Sequence, residues 1–295
     1  MSVRAYRLGF LGLNTPDVSA MKDHYDRVLG LPIAGISSEA AYLACGIGSH
    51  ALGIHASPAK GYRHVGLQVT ADDSLAAEAK SLSGDGFKAE LVSDAFPGVR
   101  QAISLQDPDG FLLYLYDEED QNHRPYASHG VRPDKIGHVA TFCTDYRRQE
   151  QFFGDALGFK SSDWIEDVFV FMRCNADHHV LNFLNSDRPG LFHFAFELRD
   201  WNHIGRACEI LGENRQRVIW GPGRHGAGHN IFTYHRDPDG NIVELFCDLD
   251  RMSNDAQGYW DPRPHHKDCP QYPKRWTFAE SHIWGPDLPH DFIAK

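Results

Sequence analysis

The chain has 295 residues, 42% of them hydrophobic and 23% charged, with a net charge of −11. The length suits two domains of ordinary size, and the composition suits a globular fold. The acidic balance argues against a nucleic-acid partner, which needs a basic footprint, and no apolar run approaches the roughly 20 residues of a membrane span.

The N-terminus lacks a signal-peptide pattern. The six cysteines are irregularly spaced and form no C-x-x-C pair, so they read as reduced thiols of a cytoplasmic protein. Histidine, at 18, is the unusual count.

In chain order, "YRLGFLGLNTPDVSAMKDHYDRVLGLPIAG" (6–35) reads as an apolar strand, a polar N-cap region and a helix closed by glycine. Residues 42–55 supply another apolar strand. "RHVGLQVTADDSLAAEAKSLSGDGF" (63–87) reads as an alternating strand and an amphipathic helix. The turn "DPDG" (107–110) leads into "FLLYLYDEED", and a polar linker bearing proline and glycine follows.

The pattern then recurs. "DKIGHVATFCTDYRRQEQFFGDALGFKSSD" (134–163) matches the first segment, 168–184 the second, and "FHFAFELRDWNHIGRACEILGENRQ" (192–216) the third. A second "DPDG" (237–240) leads into "NIVELFCDLD". The period is close to 130 residues, which marks a duplication rather than a solenoid. The repeating unit is strand–helix–strand–strand–strand, used more than once per half. The expected domains are 1–120 and 132–250, with a proline- and aromatic-rich tail, 251–295, packed across the second half as a lid.

Glu244 lies in the middle of the apolar strand that follows the second turn. Ile242, Glu244 and Phe246 share one face, and Val243, Leu245 and Cys247 the other. Both faces read as buried, and a buried carboxylate needs a partner. The duplication makes the first half a control for the second. His138 stands opposite Phe10, His193 opposite His64 and Glu244 opposite Tyr114, at offsets of 128, 129 and 130. Two histidines and one carboxylate on three strands form a facial triad, a ligand set that suits non-haem Fe(II). The first half lacks two of the three and is predicted to bind no metal.

These residues are where a family resemblance enters. The chain resembles the type I extradiol ring-cleavage dioxygenases (catechol 2,3-type) of the vicinal oxygen chelate superfamily, over about residues 6–250. "WGPGRHGAGHNIFTYHRDPDGNIVELF" (220–246) looks like that family's signature, and "RCNADHHVLNFL" (173–184) resembles the segment carrying its catalytic histidine.

The resemblance implies an α+β fold of two tandem domains of paired βαβββ modules, each a cup-shaped half-barrel, with a first domain that binds no metal. It implies His138, His193 and Glu244 as ligands to Fe(II), with Mn(II) also accommodated, and His225 and Tyr234 as catalytic residues around bound catecholate. One of the adjacent His178–His179 pair matches the acid–base histidine. A constant count back from His193 selects His178; relatives with the doublet use its second member, which selects His179. Trp220 stands where some relatives acting on carboxylated catechols carry arginine, so the resemblance implies an uncharged ring substituent. Trp220 and His178 are the substrate-binding candidates, and Arg275 is the remaining source of a cation.

The expected partners are a small catechol and O2, without nucleic acid, membrane, flavin or nicotinamide, in a homo-oligomer of aromatic catabolism. The product expected is of the 2-hydroxymuconic-semialdehyde type. The rivals are a non-oxygenase metalloenzyme of the same fold (isomerase, lyase or thiol transferase) and a metal-free binding protein. His229, His235, His265 and His266 receive no metal role.

Overall fold

A computed structural model describes residues 3–120, 127–254, 256, 259–260, 272–290 and 292–293. His265, His266 and Cys269 lie outside the described residues. By its internal contacts the chain divides into two compact units: residues 1–136 with 151–159 and 237–241, and residues 137–150 with 160–236 and 242–295.

In the first unit, one βαβββ module comprises β1 (Val3–Thr15), α1 (Val18–Asp23, continued by a π-helical turn), β2 (Ile33–Ile36), β3 (Ala40–Leu43) and β4 (Leu52–Ala56). The next comprises β5 (Gly61–Ala71), α2 (Leu75–Gly84), β6 (Ala89–Phe96), β7 (Val99–Gln106) and β8 (Leu112–Tyr116). Their eight strands form one sheet, ordered β2-β3-β4-β1-β5-β8-β7-β6.

The second half of the sequence repeats this plan. Its modules are β9 (Lys135–Cys143), α3 (Tyr146–Leu157), β10 (Lys160–Ile165), β11 (Phe169–Arg173) and β12 (Leu181–Asn185), then β13 (Gly190–Glu197), α4 (Trp201–Glu213), β14 (Trp220–His225), β15 (Ile231–Arg236) and β16 (Ile242–Cys247). The tail adds β17 (Met252–Asn254) paired with β18 (Tyr259–Trp260), then β19 (Arg275–Trp276) and β20 (His282–Trp284). β19 and β20 extend the two edges of a ten-stranded sheet, β19-β10-β11-β12-β9-β13-β16-β15-β14-β20. The class is α+β, and each twisted sheet curls into a half-barrel.

Local chemistry starts the helices. Asp200 caps α4 by accepting from the His203 N–H, and Ser74 caps α2 by accepting from Ala77. α4 buries Ile204, Ala207 and Leu211, a spacing of three and four residues that lies on one helical face.

The segments expected to give one apolar strand each give two. β3 and β4 pair antiparallel with Leu43 opposite Leu52, and β11 and β12 pair antiparallel with Met172 opposite Leu181. The glycine-bearing insertion "CGIGSH" and the polar insertion "CNADHH" are the loops that reverse the chain. The second loop carries His178 and His179. Among the described residues no helix is long and apolar enough to cross a membrane.

Candidate active site

Five neighbouring strands of the second unit each contribute to one constellation. β9 supplies His138, β13 His193, β16 Glu244, β15 Tyr234, and β14 both Trp220 and His225. Register aligns them: Tyr234 pairs with Glu244 and Trp220 with Tyr234. Every residue of β16 is buried, as the sequence of that strand predicts.

Glu244 is 1% exposed. Its Oε2 lies 3.0 Å from His138 Nε2 and 3.4 Å from His193 Nε2, and those two nitrogens are 3.3 Å apart. Its Oε1 accepts from Asn230 Nδ2 at 2.9 Å. Burial alone would raise the Glu244 pKa, but the neighbouring imidazoles, His138 first, hold it well below the usual carboxylate range. Burial lowers the pKa of His193.

These separations test whether the three residues fit an ion. Donors at roughly 2.1 Å from an octahedral cation lie about 3.0 Å apart when adjacent and about 4.2 Å apart when opposite. All three observed separations are of the adjacent kind, so the donors occupy one face. Among the described residues no other group of three histidine, cysteine, aspartate or glutamate side chains converges in this way.

A cavity opens beside this cluster. His138, His193, Glu244, His179, His225, Tyr234 and Trp220 line it. The remaining wall is mainly apolar: Ile165, Phe169, Phe171, Leu184, Phe192 and, from the tail, Phe278, Leu288, Phe292 and Ile293. Six of the seven site side chains named around the metal and catechol thus meet here with Trp220. His178 does not line the cavity; it stands behind His179, with Nδ1 2.9 Å from His179 Nδ1. Arg275 is also absent from the lining. Its guanidinium donates to the Glu166 carbonyl and pairs with Asp167 at 2.7 Å.

The His179 ring centroid lies 4.4 Å from that of His138, and burial, followed by the His138 and His178 rings, holds its pKa well below the usual histidine value. His225 Nδ1 donates to the Ser281 carbonyl at 2.9 Å, leaving Nε2 to accept from the Tyr234 O–H at 3.0 Å. Burial takes His225 down to about 4 and lifts the Tyr234 phenol well above its ordinary value, with the Glu244 charge adding to the latter. Trp220 stacks on Tyr234 with ring centroids 5.3 Å apart and is fixed by its Nε1–H, which donates to the Pro286 carbonyl.

Asn182 and Asn230, both buried and both lining the cavity, escaped the sequence reading. Asn182 carries the same signal that exposed Glu244, a polar residue between apolar neighbours in "VLNFL". His229 does not coordinate the cluster; its Nδ1 donates to Asp250 Oδ2 at 2.7 Å. His235 is fully buried outside the lining.

The Glyoxalase/Bleomycin resistance protein/Dioxygenase superfamily matches residues 7–115 and 135–245, once per half. The chain belongs to that superfamily. By its relatives it stands among the extradiol ring-cleaving dioxygenases, as the motifs imply. It is 31% identical to metapyrocatechase 2 of Cupriavidus necator over 230 residues, covering 70% of this chain and 68% of that one. It is 28% identical to the 3-methylcatechol 2,3-dioxygenase of Pseudomonas putida over 259 residues, covering 81% and 88%. Among solved structures, the Mn(II)-bound glyoxalase from Novosphingobium aromaticivorans superimposes with a TM-score of 0.81 at 26% identity, covering 98% of this chain and 95% of that one.

Proposed function

We propose that this chain is an Fe(II)-dependent extradiol dioxygenase that opens the ring of a catechol carrying an apolar, uncharged substituent. The observation that carries the reading is the facial cluster His138–His193–Glu244 at the base of a cavity that also holds His179, His225 and Tyr234. His138, His193 and Glu244 would hold the cation; the donor set suits Fe(II) and also accommodates Mn(II). Bound there, the metal would supply a Lewis acid and an electron conduit between a chelated catechol and O2. The overall conversion balances without another reductant: one ring C–C bond breaks, both oxygen atoms enter the product, and the catechol supplies the electrons that reduce O2.

The chain's own groups move the protons. His179, uncharged and facing the cavity, accepts a hydroxyl proton from the catechol and returns it later in the turnover. Tyr234 remains a phenol and donates a hydrogen bond from Oη. His225 meets the substrate through Nε2, the atom that accepts from Tyr234 before substrate arrives; it donates from Nε2 only as an imidazolium, opposite an oxygen bearing negative charge. Trp220 and the phenylalanines pack the ring and its substituent, and among the described residues no arginine or lysine lines the cavity to bind a carboxylate. Phe278, Leu288, Phe292 and Ile293 of the tail exclude water from the reacting groups. The domains read from sequence, 1–120 and 132–250, keep the roles of support and catalysis in this account.

The competing reading, a non-oxygenase metalloenzyme of the same fold, is separated by one experiment. Protein loaded anaerobically with Fe(II) is mixed with alkyl-, aryl- and carboxyl-substituted catechols, air is admitted, and O2 uptake and absorbance are followed. Equimolar O2 consumption, a yellow product and a preference for alkyl or aryl over carboxyl substituents are expected. Stoichiometric iron with no uptake from any catechol would transfer the assignment to the non-oxygenase.

A further inference from the structure

His179 is not the end of its hydrogen-bond chain. His179 Nδ1 lies 2.9 Å from His178 Nδ1, and His178 Nε2 lies 3.1 Å from Asp163 Oδ2. All three side chains are buried. Asp163 takes two more hydrogen bonds from the segment carrying β19: Trp276 Nε1–H donates to Oδ2 at 2.7 Å and the Lys274 backbone N–H to Oδ1 at 2.9 Å.

The direction of donation follows from chemistry. A carboxylate only accepts, so His178 Nε2 carries the hydrogen that faces Asp163. Where the ring carries only that hydrogen, its Nδ1 accepts, and the hydrogen between the two imidazoles belongs to His179 Nδ1. That leaves His179 Nε2 bare. With the opposite tautomer, Nε2 would carry a hydrogen and could not receive one from a substrate.

The His178 ring is held from other directions too. Its backbone N–H donates to the Asp250 carbonyl at 2.9 Å. Gly228, at φ +75°, passes so close that an added Cβ would lie 3.1 Å from His178 Nδ1 and 3.0 Å from Leu249 Cδ1. A side chain there would both strain the backbone and press on the ring.

The geometry points to Asp163 and His178 as positioning residues that fix His179 in the tautomer whose bare Nε2 faces the cavity. This rests on the dioxygenase reading for its use in turnover. The tautomer itself is independent of that reading. A carboxylate orienting an imidazole through its second nitrogen is a general device for setting which nitrogen is the base; here a second imidazole is interposed.

Two measurements test it. In the full chain labelled with 15N-histidine and loaded with diamagnetic Zn(II), long-range 1H–15N correlation reports which nitrogen of His179 is protonated, without any turnover. The expected result is Nδ1 protonated and Nε2 bare in the wild type, and a mixture of tautomers in His178→Phe. Protonation of His179 at Nε2 in the wild type, or an unchanged pattern in His178→Phe, would overturn the proposal. In the iron-loaded protein, His178→Phe should lower kcat on the order of 10–100-fold with KM and iron content held. His178→Gln, which keeps an acceptor and a donor, should recover part of that loss. Equal losses in both variants accompanied by lost iron would show a structural role only and overturn it.

Discussion

The two units carry the same modules, and their equivalent strands hold different chemistry. At the base of the second unit three donors converge. At the equivalent place in the first unit, Phe10 replaces His138 and its ring lies over the backbone of Gly66, where an added Cβ would meet it at 2.3 Å. His64 survives as the counterpart of His193, but its ring is packed among Phe96 at 4.8 Å, Tyr114 at 5.3 Å and Phe10 at 5.7 Å. Burial, with His55 next, drives the His64 pKa far down, and its Nε2 has no partner among the described residues. The comparison teaches that one retained histidine is not a remnant of function. Without a carboxylate nearby, the same imidazole is an uncharged core side chain, and an aromatic plug fills the space that the other unit keeps open.

The strongest way to break this comparison is to remove the anion. Glu244→Ala should empty the site of iron and abolish turnover, read by metal analysis of the purified protein; full iron content with retained activity would reject the ligand assignment. A variant that separates metal from chemistry comes next. His179→Phe should keep its iron and slow kcat by about 10²–10⁴-fold, measured by O2 uptake at saturating catechol.

The plug in the first unit predicts an effect of another kind. Phe10 is fully buried, so Phe10→Ala should cost about 3–5 kcal/mol of stability by denaturant unfolding while iron content stays at the wild-type level. His138→Ala, at the equivalent position, should lose the iron. The smallest effect belongs to His64→Ala. It should leave kcat/KM within about twofold, and an inactive, metal-free but folded product would show that the first unit supplies a ligand after all.

The architecture and the convergence of His138, His193 and Glu244 are legible in the sequence because duplication supplies an internal reference. Glu244 stands out as an acid in an otherwise apolar strand, and His138 stands out against Phe10. The paired strands within 40–56 and 168–185 are harder to see, because a short apolar run does not show where a loop divides it. Asp163 is invisible for a different reason. Its importance comes from His178, fifteen positions away, and from Trp276 in the tail, and such long-range pairings follow from sheet register rather than local pattern. Tail residues Leu288 and Phe292 likewise give no periodic signal, yet they wall the cavity.

The contrast between the units is tested most directly by locating the metal. In a crystal of the full chain loaded with Fe(II), anomalous scattering at the iron edge should show one site per chain, bounded by His138, His193 and Glu244. An iron peak beside His64 in the first unit, or none at the triad, would contradict the account.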